Sequence, residues 1–360
     1  EIAVPDGCVL FDIYLTARHY PFTLRQKCKK EFLEKEKGCE IWNLCVRTLE
    51  YGVQEVIQDC MDREKGFYVG DGCYTALTYM ILTNDDTIAR YLIESSKQSA
   101  KFNKGTVTCL NCAFMQEIAE YPLIMISLML WHYRITGDAG YLRKNFDFAV
   151  SLLDEYKKLY ERDCAMQNLD KWCVVEWPKN FQDGYDVDIS EGKICREPHN
   201  VINAYYIEAI SNVNKMAKIL HVPLYRDVSP LKAKYIELFY DAEKHIFRDS
   251  NITAHSSYIS NIFAFSFGLC PDEQSKQTIR NIIVERGLSD VSFFAGFVLL
   301  CGMVRDNNIS GMNSMLLEPG TWKRMLSEDA TTTFEGWGKD TKWNTSLFHL
   351  TLSYGALFMA

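Results

Sequence analysis

The sequence predicts an all-α fold: a toroid of helical hairpins, preceded by a short N-terminal segment with room for a strand. Three observations carry this reading. From residue 40 onward apolar residues recur at three- and four-residue spacing, as in Ile41, Trp42, Leu44, Cys45, Leu49, Val53 and Val56. Strand-like alternation is scarce over the same stretch. The helical segments follow one another in pairs across short polar loops such as Thr136-Gly137-Asp138. About twelve helices over roughly 320 residues can each bury an apolar stripe if their hairpins close into a ring. The sequence has no strict repeat of about 34 or 40 residues, which disfavours an open solenoid.

Residues 1–39 read as an N-terminal segment and connector, and residues 40–360 as one helical domain. Within the first part, Val9–Leu15 alternates briefly after the turn signal Pro5-Asp6-Gly7 and reads as a strand. The charged block Lys27–Lys37 reads as a solvated helical face or a connector. Beyond the first helix, helices are predicted over 71–83, 85–100, 116–136, 140–161, 198–220, 229–243, 254–268, 273–286, 289–305, 312–327 and 343–359. The longest apolar runs, Pro122–Trp131 and Phe293–Val304, fall short of the ~18 residues a membrane span needs, so both read as buried helices and no membrane partner is expected.

Composition narrows the function. Hydrophobic residues make up 48% and aromatic residues 13%, enough to fill a core, so the chain is not a disordered one. The net charge of −8 repels phosphate backbones and argues against a nucleic-acid partner, whereas a neutral substrate meets no such penalty. The 13 cysteines, an odd number, do not form a complete disulfide framework. They read as buried thiols in a reducing, cytoplasmic setting. No GxGxxG, P-loop, GxSxG or HExxH motif occurs. Cys109-Leu110-Asn111-Cys112 is a single CxxC where a structural zinc wants four ligands. Asn84-Asp85-Asp86-Thr87 reads as a helix cap.

Three loops carry more polar and aromatic side chains than a connection needs: 59–72, 165–198 and 328–345. A toroid has a central funnel whose mouth is rimmed by such loops. Aromatic faces stack on the apolar face of a pyranose, and two carboxylates can split a glycosidic bond. The first loop offers Asp59, Arg63, Glu64, Asp71 and Tyr68, with Gly66, Gly70 and Gly72 suggesting a shaped turn. The third offers Glu335 between Phe334 and Trp337. The second repeats the acid-plus-indole pairing in Glu176-Trp177, followed by Asp183, Asp186 and Asp188. His255 and His349 read as core histidines on helices.

Taken together, Asp59-Cys60-Met61-Asp62-Arg63-Glu64-Lys65-Gly66 running into Gly70-Asp71, and Ala330-Thr331-Thr332-Thr333-Phe334-Glu335-Gly336-Trp337, resemble the catalytic domain of the α-L-rhamnosidases of glycoside hydrolase family 78, six-hairpin glycosidases. Ile41-Trp42, Thr136-Gly137-Asp138, Glu176-Trp177 and Phe348-His349 add to the resemblance, in family order. It departs from the pattern at Met61, where the motif usually has proline, and at Gly336, where a larger residue is common. The resemblance implies an (α/α)6 barrel and inverting hydrolysis of terminal α-L-rhamnosyl linkages. Glu64 would then be the general acid and Glu335 the general base. Asp59, Asp71 and Arg63 would serve the sugar hydroxyls, Tyr68, Trp177 and Trp337 would form an aromatic pocket, Glu176 would contact substrate, and His349 would contact substrate or orient a carboxylate. It implies no metal and no cofactor, and a small carbohydrate or rhamnosylated glycoside as partner. The same residues leave open a catalytically silent, carbohydrate-binding toroid, or a six-hairpin glycosidase for a different sugar.

Overall fold

The computed structural model describes residues 3–16, 18–102, 117–185 and 195–360. After the single turn α1 (Lys30–Leu33), the helices fall into six outer–inner pairs. The outer members are α2 (Gly38–Gly52), α4 (Thr87–Ser99), α6 (Ala139–Tyr160), α8 (Ser229–Phe239), α10 (Glu273–Arg286) and α12 (Ile309–Leu316), the last followed by α13 (Trp322–Ser327). The inner members are α3 (Val69–Thr83), α5 (Tyr121–Thr136), α7 (Asn200–Leu220), α9 (Tyr258–Ser266), α11 (Phe294–Arg305) and α14 (Gly355–Met359), the last entered through a 3-10 turn at Thr351–Tyr354. Each inner helix packs on the next, from α3 through α11, and α14 returns to α3. Phe297 of α11 meets Phe358 of α14 at 5.8 Å between ring centres, which closes the ring. The barrel is the predicted toroid of helical hairpins.

Burial separates the two rings as the sequence pattern requires. Every residue of α9 is buried, because an inner helix has neighbours on all sides. The outer α10 buries only Ser275, Ile279 and Ile283, a stripe four residues apart, and leaves the rest half-buried or exposed. Aromatic side chains fill the barrel axis: Tyr74 stacks on Phe297 at 4.0 Å, and its hydroxyl lies 3.3 Å from that of Tyr205. Two short antiparallel ribbons sit between helices. One pairs β1 (Glu161–Arg162) with β2 (Ala165–Met166), and the other pairs β3 (Tyr240–Asp241) with β4 (Ile246–Phe247).

Several elements differ from their predicted form. Val9–Leu15 is not a strand: Val9, Phe11 and Leu15 are exposed, and no described strand lies beside them to accept pairing. The predicted helix 312–327 breaks into α12 and α13. Pro319 lacks an amide donor, and Glu318 turns away to accept from the Leu288 and Ser289 amides. The predicted helix 343–359 starts only at Thr351. Before it the chain runs through a turn and bends, with His349 alone paired to Cys60. The first turn of α5 begins at Tyr121 rather than 116, with Pro122 in its favoured N-terminal position. Gly70 and Gly72 lie in the first turn of α3, not in a loop.

Residues 20–29 run along the barrel end, where the Tyr20, Arg25 and Lys29 amides donate to Val53, Leu82 and Met359 carbonyls. Every described cysteine is a free thiol. Cys109 and Cys112 lie outside the described residues, as do Asp186 and Asp188. Among the described residues no helix is long and apolar enough to cross a membrane.

The inner ring tolerates no extra volume where α9 crosses α11. A Cβ built at Gly302 would stand 2.8 Å from the Ser266 Cβ and 3.1 Å from its Cα, so the backbone itself would have to move. Gly302→Ala is expected to cost about 1–3 kcal/mol. A lowered denaturant midpoint with an unchanged slope would report it.

Candidate active site

The inner helices present their N-termini to one end of the barrel, and the described parts of the three long loops reach it. A cavity of about 230 Å³ opens at this end, lined by Asp59, Glu64, Tyr68, Asp71, Ile118, Tyr121, Trp172, Val174, Trp177, Phe294, Glu335 and His349. Asp71 lies in the first turn of α3, Tyr121 begins α5, and Phe294 begins α11. Carboxylates and sugar hydroxyls placed here face the positive ends of helix dipoles.

The loop bearing Glu64 is closed on itself. The Asp59 amide donates to the Gly66 carbonyl at 2.8 Å, and the Gly66 amide donates to Asp59 Oδ1 at 2.7 Å. The Glu64 amide leans on Cys60 Sγ at 3.2 Å. The loop is then stitched to the other end of the chain: Met61 N donates to Phe348 O, Leu350 N donates to Asp59 O, and Ser346 Oγ donates to Asp62 at 2.6 Å. These bonds carry Glu64 and Glu335, 271 positions apart in sequence, to the same cavity.

Glu335 is buried and fully engaged. Arg63 Nη1 donates to its Oε2 at 2.8 Å and Arg63 Nη2 to its Oε1 at 3.0 Å. Trp177 Nε1 (2.9 Å) and Lys342 Nζ (2.7 Å) donate to Oε1, and the Ser346 amide donates to Oε2 at 3.0 Å. Burial alone would raise its carboxyl. The Arg63 hydrogen bond, the nearby His349 and the Lys342 ammonium outweigh burial and hold it down at about 2. Gly336 follows with φ +114°, a conformation a side chain strains, and its Cα faces Thr341 so closely that a Cβ would meet Thr341 Oγ1 at 2.8 Å. The larger residue common at this position in the family pattern does not fit this loop.

Glu64 is the more open of the pair, with 37% of its side chain exposed. Its Oε1 accepts from the same Arg63 Nη2 at 2.6 Å. One guanidinium nitrogen therefore touches both carboxylates, and their nearest oxygens are separated by no more than the sum of those two contacts. Asp59 and Asp71 sit deeper. Burial first, then the charges of Glu64 and Asp71, push the Asp59 carboxyl up to about 8. Burial pushes Asp71 up to about 6 against hydrogen bonds from Thr351 Oγ1 and Tyr121 Oη, both 2.8 Å. Burial pushes the His349 imidazole down to about 4. Its Nε2 lies 3.9 Å from Asp59 Oδ2, and its Nδ1 is buried with no partner.

Two residues expected at the substrate stand elsewhere. The Glu176 carboxylate is spent on backbone: it accepts from the amides of Trp177, Ser292, Phe294 and Ala295, closing the N-terminus of α11. Trp337 is a core residue, its Nε1 donating to Val291 O at 2.6 Å and its ring edge-on to Trp322 at 4.9 Å. Arg63 backs the cavity through the two glutamates rather than lining it. Asp183 is held by Arg286. His349 lies in an isolated bridge to Cys60, not a helix, and His255 precedes α9 with Nδ1 2.6 Å from Asp249.

Sequence reading missed Ile118, Tyr121, Trp172, Val174 and Phe294, which complete the walls, and Lys342, which neutralises Glu335. Phe294 sits in an apolar run indistinguishable from core. Lys342 was legible only as one cation in a polar loop. Among the described residues no group of three His, Cys, Asp or Glu side chains is arranged to hold a metal ion.

A ring of inner helices whose N-termini surround carboxylates and indoles has the architecture of the helical-barrel glycosidases. The sequence matches the bacterial α-L-rhamnosidase six-hairpin glycosidase domain over residues 27–359, and the chain belongs to that family. The fold resembles the family 78 rhamnosidase of Bacillus sp. GL1 (TM-score 0.77, 16% identity, covering 95% of this chain and 36% of that one). It also resembles the Streptomyces avermitilis α-L-rhamnosidase complexed with L-rhamnose (0.69, 14%, 94% and 32%). A more distant likeness is the family 63 mannosylglycerate hydrolase of Thermus thermophilus (0.62, 10%, 88% and 99%). The chain thus spans about a third of the length of those two rhamnosidases. No curated protein matches the sequence.

Two outcomes follow. Glu176→Ala strips four amides of their acceptor and should lower stability by about 1–3 kcal/mol, read as a fall in the melting temperature. Glu335 is depressed in the folded state, so its stabilisation is complete above its ordinary value of 4.5 and is lost as pH falls toward about 2. Between those pH values the wild type should lose stability more steeply than Glu335→Gln, as measured by denaturant titration at each pH.

Proposed function

We propose that this domain hydrolyses terminal α-L-rhamnosyl linkages with inversion, Glu335 acting as general base and Glu64 as general acid. The observation that carries this reading is the pairing of the two glutamates at one aromatic-walled cavity, one buried and held ionised, the other open to solvent. An inverting pair stands about 6.5–9.5 Å apart to admit a water. Glu64, with 37% of its side chain exposed, has room to turn from Arg63 toward a leaving oxygen, which widens the spacing.

Glu335 is ionised throughout the neutral range. A carboxylate held so low is a weak base, so it takes the water's proton late, when bonding to the anomeric carbon has already made that proton acidic. Arg63, Lys342 and Trp177 keep the Glu335 carboxylate in place until then. Burial and the neighbouring carboxylates favour the protonated form of Asp59, which can donate a hydrogen bond to a sugar oxygen as well as accept one. Asp71 accepts from Tyr121 and Thr351 and keeps lone pairs for a hydroxyl.

Substrate charge and shape are read from the walls. Four carboxyl groups and no lysine or arginine line the cavity among the described residues, which favours a neutral sugar over a uronic acid. Ile118, Val174 and Phe294 supply an apolar patch that suits a C5 methyl, the group that distinguishes rhamnose from a hydroxymethyl sugar.

Glu64→Gln and Glu335→Gln should each lower kcat on 4-nitrophenyl α-L-rhamnoside at least ~100-fold while leaving the circular dichroism spectrum unchanged. Fresh product should appear as the inverted anomer by NMR. Retention, or turnover near wild type in either variant, would overturn the assignment. Binding of rhamnose with no turnover by the wild type would favour a silent carbohydrate-binding domain instead.

A further inference from the structure

One large aromatic side chain, on a turn tied to Glu335, is left almost entirely outside the fold. The Trp343 indole is 95% exposed. A single exposed aromatic is unremarkable on a mobile surface, but this one is mounted on a turn fixed at both ends. Thr345 N and Oγ1 both donate to the Lys342 carbonyl, at 3.2 and 2.7 Å, and the Lys342 amide donates to Thr345 Oγ1 at 2.8 Å. The turn is also tied to the reacting groups. On one side of Trp343, Lys342 Nζ donates to Glu335 Oε1 at 2.7 Å. On the other, the Asn344 carbonyl accepts from Arg63 Nη1 at 2.7 Å, and the next residue but one, Ser346, gives its amide to Glu335.

Arg63 also ties the turn to the proposed acid, although the turn's direct contacts are with Glu335. Its Nη2 holds Glu64, and its Nη1 holds the Asn344 carbonyl. The turn that carries Trp343 is therefore one guanidinium away from the proposed acid. An acid that protonates the leaving oxygen has the leaving group beside it, and Glu64 is the exposed member of the pair. A leaving group held at Glu64 would stand one guanidinium from the Trp343 turn. Trp343 takes no part in lining the inner cavity, so its ring is left for whatever lies outside it. With the turn's backbone held by these bonds, stacking a ring on Trp343 would order only its two side-chain torsions.

We propose that Trp343 is the platform of a leaving-group subsite, receiving a flat ring, aromatic or pyranose, by face-to-face stacking. The proposal rests on the hydrolytic assignment for the orientation of substrate. It makes Trp343 a specificity-determining residue and predicts that substrates with a ring in the leaving group are preferred to those without one.

The test compares wild type, Trp343→Ala and Trp343→Phe on three substrates: 4-nitrophenyl α-L-rhamnoside, a rhamnosyl-glucose disaccharide and methyl α-L-rhamnoside. Trp343→Ala should raise KM roughly tenfold for a ring-bearing substrate, with kcat nearly unchanged and methyl rhamnoside unaffected; Trp343→Phe should restore most of the loss. A KM effect on the aryl substrate alone identifies an aromatic ring, and on the disaccharide alone a sugar ring. Equal change for all three substrates, or none, overturns the platform while leaving hydrolysis intact. Calorimetry with phenyl α-L-rhamnoside on Glu335→Gln, with and without Trp343→Ala, reads the subsite apart from turnover. A roughly tenfold weaker Kd there supports the platform for an aromatic ring even if no substrate is cleaved, and an unchanged Kd together with an unchanged KM for the disaccharide overturns it.

Discussion

A carboxylate as buried as Glu335 survives in the ionised state only if its charge is matched and its lone pairs are filled. Arg63 supplies most of both. Its guanidinium forms a two-bond pair with Glu335, a second pair with Glu64 and a further bond to the Asn344 carbonyl. Those contacts join a loop before α3 to a loop before α14, so the first and last inner helices of the barrel meet at the site. Removing that one side chain would leave Glu335 with Lys342 as its only ion-paired cation among the described residues and would free the two loops from each other.

The rest of the site follows from how the barrel is wound. Inner helices that all begin at one end leave unsatisfied amides there, and the chain answers with carboxylates. Glu176 satisfies the start of α11, and Glu120, through the Val174 and Val175 amides, holds the loop that carries Trp172 and Trp177. These acids are consumed by the fold. Asp59, Asp71, Glu64 and Glu335 retain an outlook on the cavity. Acid content alone therefore overstates the number of groups available for chemistry, because the same residue type caps helices and meets substrate at this end.

Much of the architecture was legible in the residue pattern. The three-and-four spacing located most of the helices, their pairing across short polar loops pointed to a ring of hairpins, and the polar, aromatic loops marked the end at which the candidate site lies. The motif around Glu64 and the segment around Glu335 pointed to the pair that shares the cavity. What failed has common causes. Glu318 and Pro319 broke a helix that periodicity extended. Pairing of His349 with Cys60 kept out of helix a segment that propensity made helical. Trp337 and Glu176 look like site residues in sequence, since an indole beside an acid reads the same whether it faces a sugar or a helix end.

The sequence by itself determined the fold class, the number of hairpins to within one or two elements, and the residue types from which a sugar site could be built. Those depend on local periodicity and composition, which each segment carries alone. Only the tertiary structure decided which acids are spent, which face the cavity and how strongly each holds its proton. Those properties depend on burial, on the distance to Arg63, Lys342 and the helix termini, and on loops separated by most of the chain. None of these distances exists until the ring has closed.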